Sequence, residues 1–171
     1  GETDIDSLYQ MFEGKLMSIL ENFTDIKPGV LETVKILREK GISIGSTTGY
    51  TDGMMEIVVK KAEEHGYKPD AWFSPDSTNK LGRPYPYMIY RNMEAFAVSS
   101  ADGVVKVGDT VSDIMEGKSA GVFSIGIIEG SSEMGLSREE YDSLTGEEKS
   151  RRAALVTAKY AEAGADAVIH N

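Results

Sequence analysis

Three polar segments of the sequence carry residue types that do chemistry, and each comes directly after a short apolar run. The first is a hydroxyl-rich turn made of Ser46, Thr47, Thr48, Gly49 and Tyr50. Its hydroxyl and backbone N–H groups could converge on an anion. The second is Arg83, whose planar guanidinium can hold two oxygens of a phosphoryl or phosphonyl group at once. The third is the pair Asp109 and Asp113, which are separated by one helical turn and can face the same cleft.

Taken together, these groups describe a phosphoryl-type pocket with a metal. Carboxylates without neighbouring His or Cys suit a hard, hydrated cation such as Mg²⁺. Each segment also has a structural explanation: a capped turn, a solvated surface arginine, and an acidic helix start favoured by the helix dipole. The two histidines, His65 and His170, are placed as a helix-end and a strand-end residue, and no activated nucleophile is visible.

The elements that must position these residues alternate between strand and helix. Apolar periodicity predicts helices at 4–20, 28–41, 51–66, 84–96 and 111–120, followed by two helices that begin at the capping boxes Ser137…Glu140 and Thr145…Glu148. Short apolar runs predict strands at 42–46, 71–74, 104–107, 122–128 and 167–169. This alternation indicates an α/β fold, a Rossmann-like parallel sheet with helices on both faces, and ligands beyond the carboxyl ends of the strands. Met54, Met55 and Trp72 are expected in the core or against a second domain.

The composition limits the classes of function. The chain has 171 residues, of which 40% are hydrophobic and 27% charged, as in one ordinary globular domain with at most a small appendage. Its net charge of −10 disfavours partnership with nucleic acid or an anionic membrane surface. The absence of cysteine excludes disulfides, zinc-thiolate sites and cysteine nucleophiles, and no membrane span or signal peptide is recognisable. We therefore expect a cytoplasmic protein.

Five motifs together resemble one enzyme family. They are Ile44-Gly-Ser-Thr-Thr-Gly-Tyr-Thr51, Gly66-Tyr-Lys-Pro-Asp70, Gly82-Arg-Pro-Tyr-Pro86, Lys106-Val-Gly-Asp-Thr-Val-Ser-Asp113 and Gly130-Ser-Ser-Glu-Met-Gly-Leu136. The chain resembles, over nearly its whole length, the phosphonoacetaldehyde hydrolases of the haloacid dehalogenase superfamily. Gly82-Arg-Pro is the more specific part, because most of the superfamily carries a lysine there.

The resemblance implies a haloacid dehalogenase-like core and Mg²⁺-dependent hydrolysis of the carbon–phosphorus bond of phosphonoacetaldehyde to acetaldehyde and phosphate. The family forms a Schiff base between a lysine and the aldehyde, and an aspartyl-phosphate that water then hydrolyses. By position, Asp109 matches the magnesium ligand and Asp113 the acid that supports it. Thr48 and Gly49 match the phosphoryl-contacting turn and Arg83 the phosphonate clamp. Ser46, Thr47 and Tyr50 border the pocket.

The chain departs from the family in lacking its two most reactive groups. By the resemblance, the aspartate nucleophile and the Schiff-base lysine lie upstream of Gly1, so we expect this chain alone to be inactive. Residues 1–24 are then the end of a helical cap domain, and 25–171 a core domain without its first strand. The resemblance also implies a homodimer made through the cap. Two alternatives stay open: a phosphatase or phosphomutase of the same superfamily, and a non-catalytic phosphate- or metal-binding module.

Overall fold

The computed structural model describes residues 11–12 and 14–171, which form two compact units. The first ends at Ser77 and the second spans Thr78–Asn171. Every strand pair within them is parallel. The predicted α/β class with parallel strands is confirmed.

The first unit carries two strands and the helices that follow them. The elements are α1 (Val30–Glu39), β1 (Gly45–Thr47), α2 (Asp52–Glu64) and β2 (Ala71–Phe73), with a 3₁₀ turn at Leu20–Phe23. Helix α1 ends before Gly41, which has a φ of 77° as its predicted place after the helix requires. Helix α2 begins at the predicted cap Thr51, whose side chain accepts a hydrogen bond from the backbone N–H of Met54. Met54 and Met55 are buried, as expected of core residues.

Part of the amino-terminal helix predicted at 4–20, residues 4–10 and 13, lies outside the described residues. Within it, residues 11–12 and 14–19 are helical. His65, at the end of α2, has Nδ1 3.3 Å from the carbonyl oxygen of Thr24. The predicted place of His65 at the end of a helix is therefore confirmed.

Strand β1 begins later than the predicted 42–46, at Gly45. The reason is that the backbone groups of Ile44 form hydrogen bonds with Asp70. The N–H of Ile44 donates to Oδ2 of Asp70 at 2.7 Å, and the N–H of Asp70 donates to the carbonyl of Ile44 at 2.8 Å. The side chain of Asp70 thus takes the place of a backbone carbonyl as acceptor for the Ile44 N–H, and Arg38 holds the same carboxylate with an ion pair of 2.9 Å. The paired strands run from Gly45 opposite Ala71 to Thr47 opposite Phe73.

The second unit contains a three-stranded parallel sheet in the order β3-β4-β5. Its elements are α3 (Tyr87–Ala95), β3 (Val105–Gly108), α4 (Val111–Ala120), β4 (Phe123–Ile127), α5 (Arg138–Ser143), α6 (Gly146–Glu162) and β5 (Ala167–Ile169). Both predicted capping boxes are present: Ser137 with Glu140 opens α5, and Thr145 with Glu148 opens α6. The boundaries of β3, β4 and β5 agree with the predicted strands to within one residue at each end.

Helix α3 begins three residues later than predicted, at Tyr87 instead of Pro84. Tyr85 precedes Pro86, and the residue before a proline is disfavoured in helical conformation. The chain instead turns, with the N–H of Tyr85 donating to the carbonyl of Gly82 at 3.0 Å. The Arg83–Pro84 peptide bond is cis.

One hydrophobic cluster of the second unit lies between its sheet and helices α4 and α6. Its buried members are Ile114, Ile128, Met134, Val156 and Tyr160. The Tyr160 hydroxyl donates to the carbonyl of Ile127 at 3.0 Å, so this buried polar group is satisfied.

The described strands form two separate sheets. One contains β1 and β2, and the other contains β3, β4 and β5, with β4 in the middle. The sequence pattern predicts the parallel direction of these strands correctly, but not this division. Across the described part of the chain, no helix is long and apolar enough to cross a membrane.

Candidate functional site

The carboxyl ends of β3 and β4 bring two loops into contact around Asp109. Strand β3 ends at Gly108, so Asp109 stands at its tip, where parallel sheets collect functional groups. Oδ2 of Asp109 accepts two hydrogen bonds from Ser132, one from the backbone N–H at 3.0 Å and one from the hydroxyl at 2.8 Å. One carboxylate oxygen of Asp109 is thereby fixed by the loop that follows β4.

The next residue of that loop, Glu133, holds the start of helix α4. Its Oε1 accepts from the backbone N–H of Val111 at 3.2 Å, and its Oε2 accepts from Nζ of Lys159 at 2.8 Å. The hydrogen bonds from Lys159 and from the Val111 N–H keep the pKa of the Glu133 carboxyl below its ordinary value. A carboxylate at a helix N-terminus also complements the helix dipole. Ser132 and Glu133 therefore anchor the two ends of the Asp109 loop.

Asp113 lies in a cluster of two carboxylates and two cations, hereafter the charge cluster, made of Arg83, Lys106, Asp113 and Glu116. Nζ of Lys106 lies 2.9 Å from Oδ1 of Asp113 and 2.9 Å from Oε2 of Glu116. Arg83 reaches the same two oxygens, with Nη1 3.1 Å from Oδ1 of Asp113 and Nε 3.4 Å from Oε2 of Glu116. Asp113 is 3% exposed and Glu116 is fully buried. Opposite charges removed from water need such mutual pairing, because a lone buried charge is costly.

Two glycines let helix α4 approach the sheet closely enough to form the charge cluster. A Cβ on Gly108 would lie 2.1 Å from Cβ of Asp113. A Cβ on Gly117 would lie 2.2 Å from the hydroxyl of Ser124 and 3.1 Å from Cβ of Lys106. A larger residue at Gly108 would clash with Asp113 of the helix, and one at Gly117 would clash with Ser124 of β4 and Lys106 of β3. The small residues therefore set the distance between Lys106 on the strand and the carboxylates on the helix.

The ionised state of Asp113 is favoured by its neighbours. Burial alone raises the pKa of this carboxyl, but the charges of Lys106 and Arg83 and a hydrogen bond from Thr110 outweigh that effect. The pKa of Asp113 therefore lies below its ordinary value. The Thr110 hydroxyl donates to Oδ2 of Asp113 at 2.6 Å and accepts from the Asp113 N–H at 3.1 Å, so Thr110 also caps helix α4.

The hydroxyl-rich turn from Ser46 to Tyr50 belongs to the first unit. Ser46 and Thr47 are the last residues of β1, and the N–H of Thr48 donates to the carbonyl of Phe73 at 3.3 Å. The hydroxyl of Thr48 accepts from the N–H of Tyr50 at 3.0 Å, and so closes the turn around Gly49. The predicted turn between a strand and a helix N-terminus is therefore present.

A second set of residues holds the start of helix α2 beside this turn. The backbone N–H of Asp52 donates to Oδ2 of Asp76 at 2.8 Å, and the fully buried Ser74 donates its hydroxyl to Asp52. The hydroxyl of Ser74 also accepts from the N–H of Asp76 at 3.0 Å. Loop 74–76 after β2 therefore fixes the loop after β1. The Ser-Pro-Asp run is a turn signal that points to such a role, but its partner Asp52 is set by tertiary contact.

The donor set at Asp109 fits Mg²⁺. Carboxylate and hydroxyl oxygens are hard ligands, and Mg²⁺ in proteins often keeps several waters and uses only one or two carboxylates. One oxygen of Asp109 is fixed by Ser132, which orients the other. Within residues 11–12 and 14–171, no three His, Cys, Asp or Glu side chains are grouped to hold a metal by themselves. Asp109 is thus suited to be one ligand, whereas the carboxylate of Asp113 is held by Lys106, Arg83 and Thr110.

Of the residues singled out from the sequence, the structure brings Arg83 and Asp113 into direct contact. It places Asp109 in a different hydrogen-bonding group, with Ser132. Pattern reading missed the roles of Lys106, Glu116 and Ser132. The sequence does contain a signal for Lys106, because a lysine inside an otherwise apolar strand requires a buried partner.

The comparison with protein families decides what kind of protein carries this arrangement. The sequence model of the haloacid dehalogenase-like hydrolases matches residues 4–121. The chain belongs to this family. The resemblance of the five motifs to the haloacid dehalogenase superfamily is therefore confirmed.

Individual relatives of this chain carry a more specific name. The chain is 56% identical over 148 residues to a phosphonoacetaldehyde hydrolase of Lysinibacillus sphaericus, covering 86% of the chain and 55% of that protein. It is 51% identical over 166 residues to one of Parabacteroides distasonis, covering 97% of the chain and 62% of that protein. The crystal structure of a phosphonoacetaldehyde hydrolase-like protein from Oleispira antarctica matches with a TM-score of 0.91 and 32% identity, over 99% of this chain and 61% of that one. The chain thus spans about three fifths of the length of these relatives.

Proposed function

We propose that the protein hydrolyses the carbon–phosphorus bond of phosphonoacetaldehyde, giving acetaldehyde and phosphate in a Mg²⁺-dependent reaction. The observation that carries the proposal is the charge cluster, in which an arginine and not the lysine common in the superfamily stands at Gly82-Arg83-Pro84. The names of the relatives support the same substrate.

Arg83 would bind the phosphonate. Its guanidinium is held along Nε and Nη1 by Asp113 and Glu116, which fixes its plane and reduces the entropy lost on binding. The Arg83 side chain is 21% exposed, whereas that of Lys106 is 10% exposed, so Arg83 is the cation of the cluster that solvent reaches more readily. A planar fork in a fixed orientation suits two oxygens of one phosphonate.

Asp109 would hold the metal, with Ser132 orienting its carboxylate. The cation, when bound, supplies positive charge that offsets the charge of the phosphonate oxygens. In the first unit, the turn at Thr48 and Gly49 presents a hydroxyl and backbone N–H groups, which we assign to phosphoryl contact, with Ser46, Thr47 and Tyr50 bordering it.

The route by which the bond breaks is part of the proposal. A carbon leaving group is poor, and a Schiff base with the aldehyde gives the electrons of the breaking bond an acceptor. An aspartate would then carry the phosphoryl group until water releases it. We assign neither the lysine nor that aspartate to a residue of this chain, and we propose that the 171 residues alone do not turn over the substrate.

The test uses the protein in its natural length with phosphonoacetaldehyde and Mg²⁺. Acetaldehyde is measured with a coupled alcohol dehydrogenase assay and phosphate with a colorimetric assay. We expect equal amounts of the two products, and we expect neither product to form once the metal is chelated. Borohydride added during turnover should inactivate the enzyme and add the mass of a reduced substrate adduct. Release of phosphate without acetaldehyde would refute the proposed reaction.

The same preparation distinguishes the alternatives. Faster hydrolysis of phosphate esters than of the phosphonate would identify a phosphatase or phosphomutase. Mg²⁺-dependent phosphate binding with no turnover of either class would identify a binding module. We further propose that residues 1–24 are the end of a cap domain, that residues 25–171 are the core domain, and that the protein dimerises through the cap. The mass of the protein in solution tests the dimer.

A further inference from the structure

Lys106 shares with Arg83 the same two carboxylate oxygens. Oδ1 of Asp113 and Oε2 of Glu116 each lie within 3.4 Å of a nitrogen from both cations. The charge cluster therefore carries two positive and two negative charges and is neutral as a whole. Its carboxylates are buried, so little water screens the charges from one another.

The neutrality matters for an anionic ligand. Without Lys106, two carboxylates would face one arginine, and the group would carry a net negative charge. Such a group would repel a phosphonate or phosphate, and its arginine would be drawn toward the carboxylates. With Lys106 present, the carboxylates hold Arg83 in place without leaving an excess of negative charge beside it.

We propose that Lys106 is a positioning residue that sets the affinity of Arg83 for anions by neutralising the second carboxylate of the charge cluster, Glu116. This inference rests on the proposed function, in which Arg83 binds the phosphonate. Lys106 does not contact the substrate in this proposal, and its effect passes through Asp113, Glu116 and Arg83.

The inference makes a prediction that a purely structural role does not make. Removing Lys106 leaves the cluster with one excess negative charge, removing the charge of Glu116 leaves one excess positive charge, and removing both restores neutrality. Anion affinity should follow the sign of that net charge. If the four residues only stabilised the fold, both single changes would weaken binding or leave it unaltered, and the double change would be no better.

The experiment uses Lys106→Met, Glu116→Gln and the double variant in the natural-length protein, with Lys118→Met as a matched control. Lys118 also pairs with an aspartate, Asp166 at 3.0 Å, but its side chain is 41% exposed. Binding of inorganic phosphate is measured directly by calorimetry, and KM and kcat are measured with phosphonoacetaldehyde. The melting temperature of each variant reports folding.

We expect Lys106→Met to weaken phosphate binding about tenfold, the order of effect that one uncompensated charge has on an anion bound nearby in a partly buried site. Glu116→Gln should tighten phosphate binding, and the double variant should return to within about threefold of the unaltered protein. KM should change in the same order while kcat changes less. Lys118→Met should leave both unaltered.

Weaker phosphate binding in Glu116→Gln, or a double variant that is worse than either single one, would overturn the inference. If Lys106→Met does not fold, Glu116→Gln alone decides by the direction of its change. Because phosphate binding needs no turnover, the two proposals can fail separately. If phosphonoacetaldehyde is hydrolysed but phosphate affinity does not follow the net charge of the cluster, only the role of Lys106 is refuted. If phosphate affinity follows the net charge but phosphonoacetaldehyde is not hydrolysed, only the proposed reaction is refuted.

Discussion

Replacing Gly108 by alanine tests how closely strand β3 packs against Asp113. A Cβ at this position would lie 2.1 Å from Cβ of Asp113 and 2.5 Å from its Cγ. Non-bonded carbon atoms pack at about 3.5–4.0 Å, so the two residues would have to separate by more than about 1 Å. Asp113 cannot turn aside easily, because Lys106, Arg83 and Thr110 all hold its carboxylate.

The expected cost follows from these contacts. Overpacking a tightly packed site costs about 1–3 kcal/mol, and disrupting a buried ion pair costs about 3–5 kcal/mol. We expect Gly108→Ala to lower the free energy of unfolding by about 3 kcal/mol or more. For a chain of this size, that corresponds to a fall of roughly 10 °C in Tm. Displacement of Asp113 should also weaken phosphate binding at Arg83.

Thermal unfolding followed by circular dichroism, with phosphate binding by calorimetry, measures both effects. Gly146→Ala is the matched control, because a Cβ at this first position of α6 meets no atom within 4 Å. That variant should shift Tm by less than about 2 °C, since alanine is a better helix former than glycine. A Gly108→Ala protein with the same Tm and phosphate affinity as the control would refute the close packing of β3 against Asp113.

Three further changes test the site and the core. Arg83→Lys should raise KM for the phosphonate roughly tenfold in initial-rate assays, because lysine lacks the bidentate fork, and an unaltered KM would contradict the role of Arg83. Asp109→Ala should abolish Mg²⁺-dependent turnover, and a Mg²⁺ titration that matches the unaltered protein would remove Asp109 from the metal site. Burial raises the pKa of Tyr160 from 10.0 to about 12, so its contribution to stability is complete below pH 10 and is lost as pH rises through 12. The difference in unfolding free energy between the unaltered protein and Tyr160→Phe should therefore shrink by about 1 kcal/mol between pH 7 and pH 11 in urea titrations, and a constant difference would contradict the burial of Tyr160.

Local signals in the sequence predict most elements of this protein correctly. The capping boxes at Ser137 and Thr145 define helix starts because their hydrogen bonds join residues three apart. The late start of α3 could also have been predicted, since Tyr85 precedes a proline. The late start of β1 could not, because Ile44 is bonded to Asp70, far along the chain.

The candidate site likewise has features that the sequence predicts and features that depend on tertiary contacts. Sequence alone predicts Arg83, Asp109 and Asp113 as site residues, because they follow apolar runs that alternate with helices, and parallel sheets collect functional groups beyond their strand ends. Only the tertiary structure decides that Asp109 is held by Ser132 and that Lys106 and Glu116 join Arg83 and Asp113. Motif spacing reports neighbours along the chain, whereas these contacts depend on how closely helix α4 packs on β3. The two glycines at Gly108 and Gly117 determine that distance, and the pairing of buried opposite charges then becomes favourable.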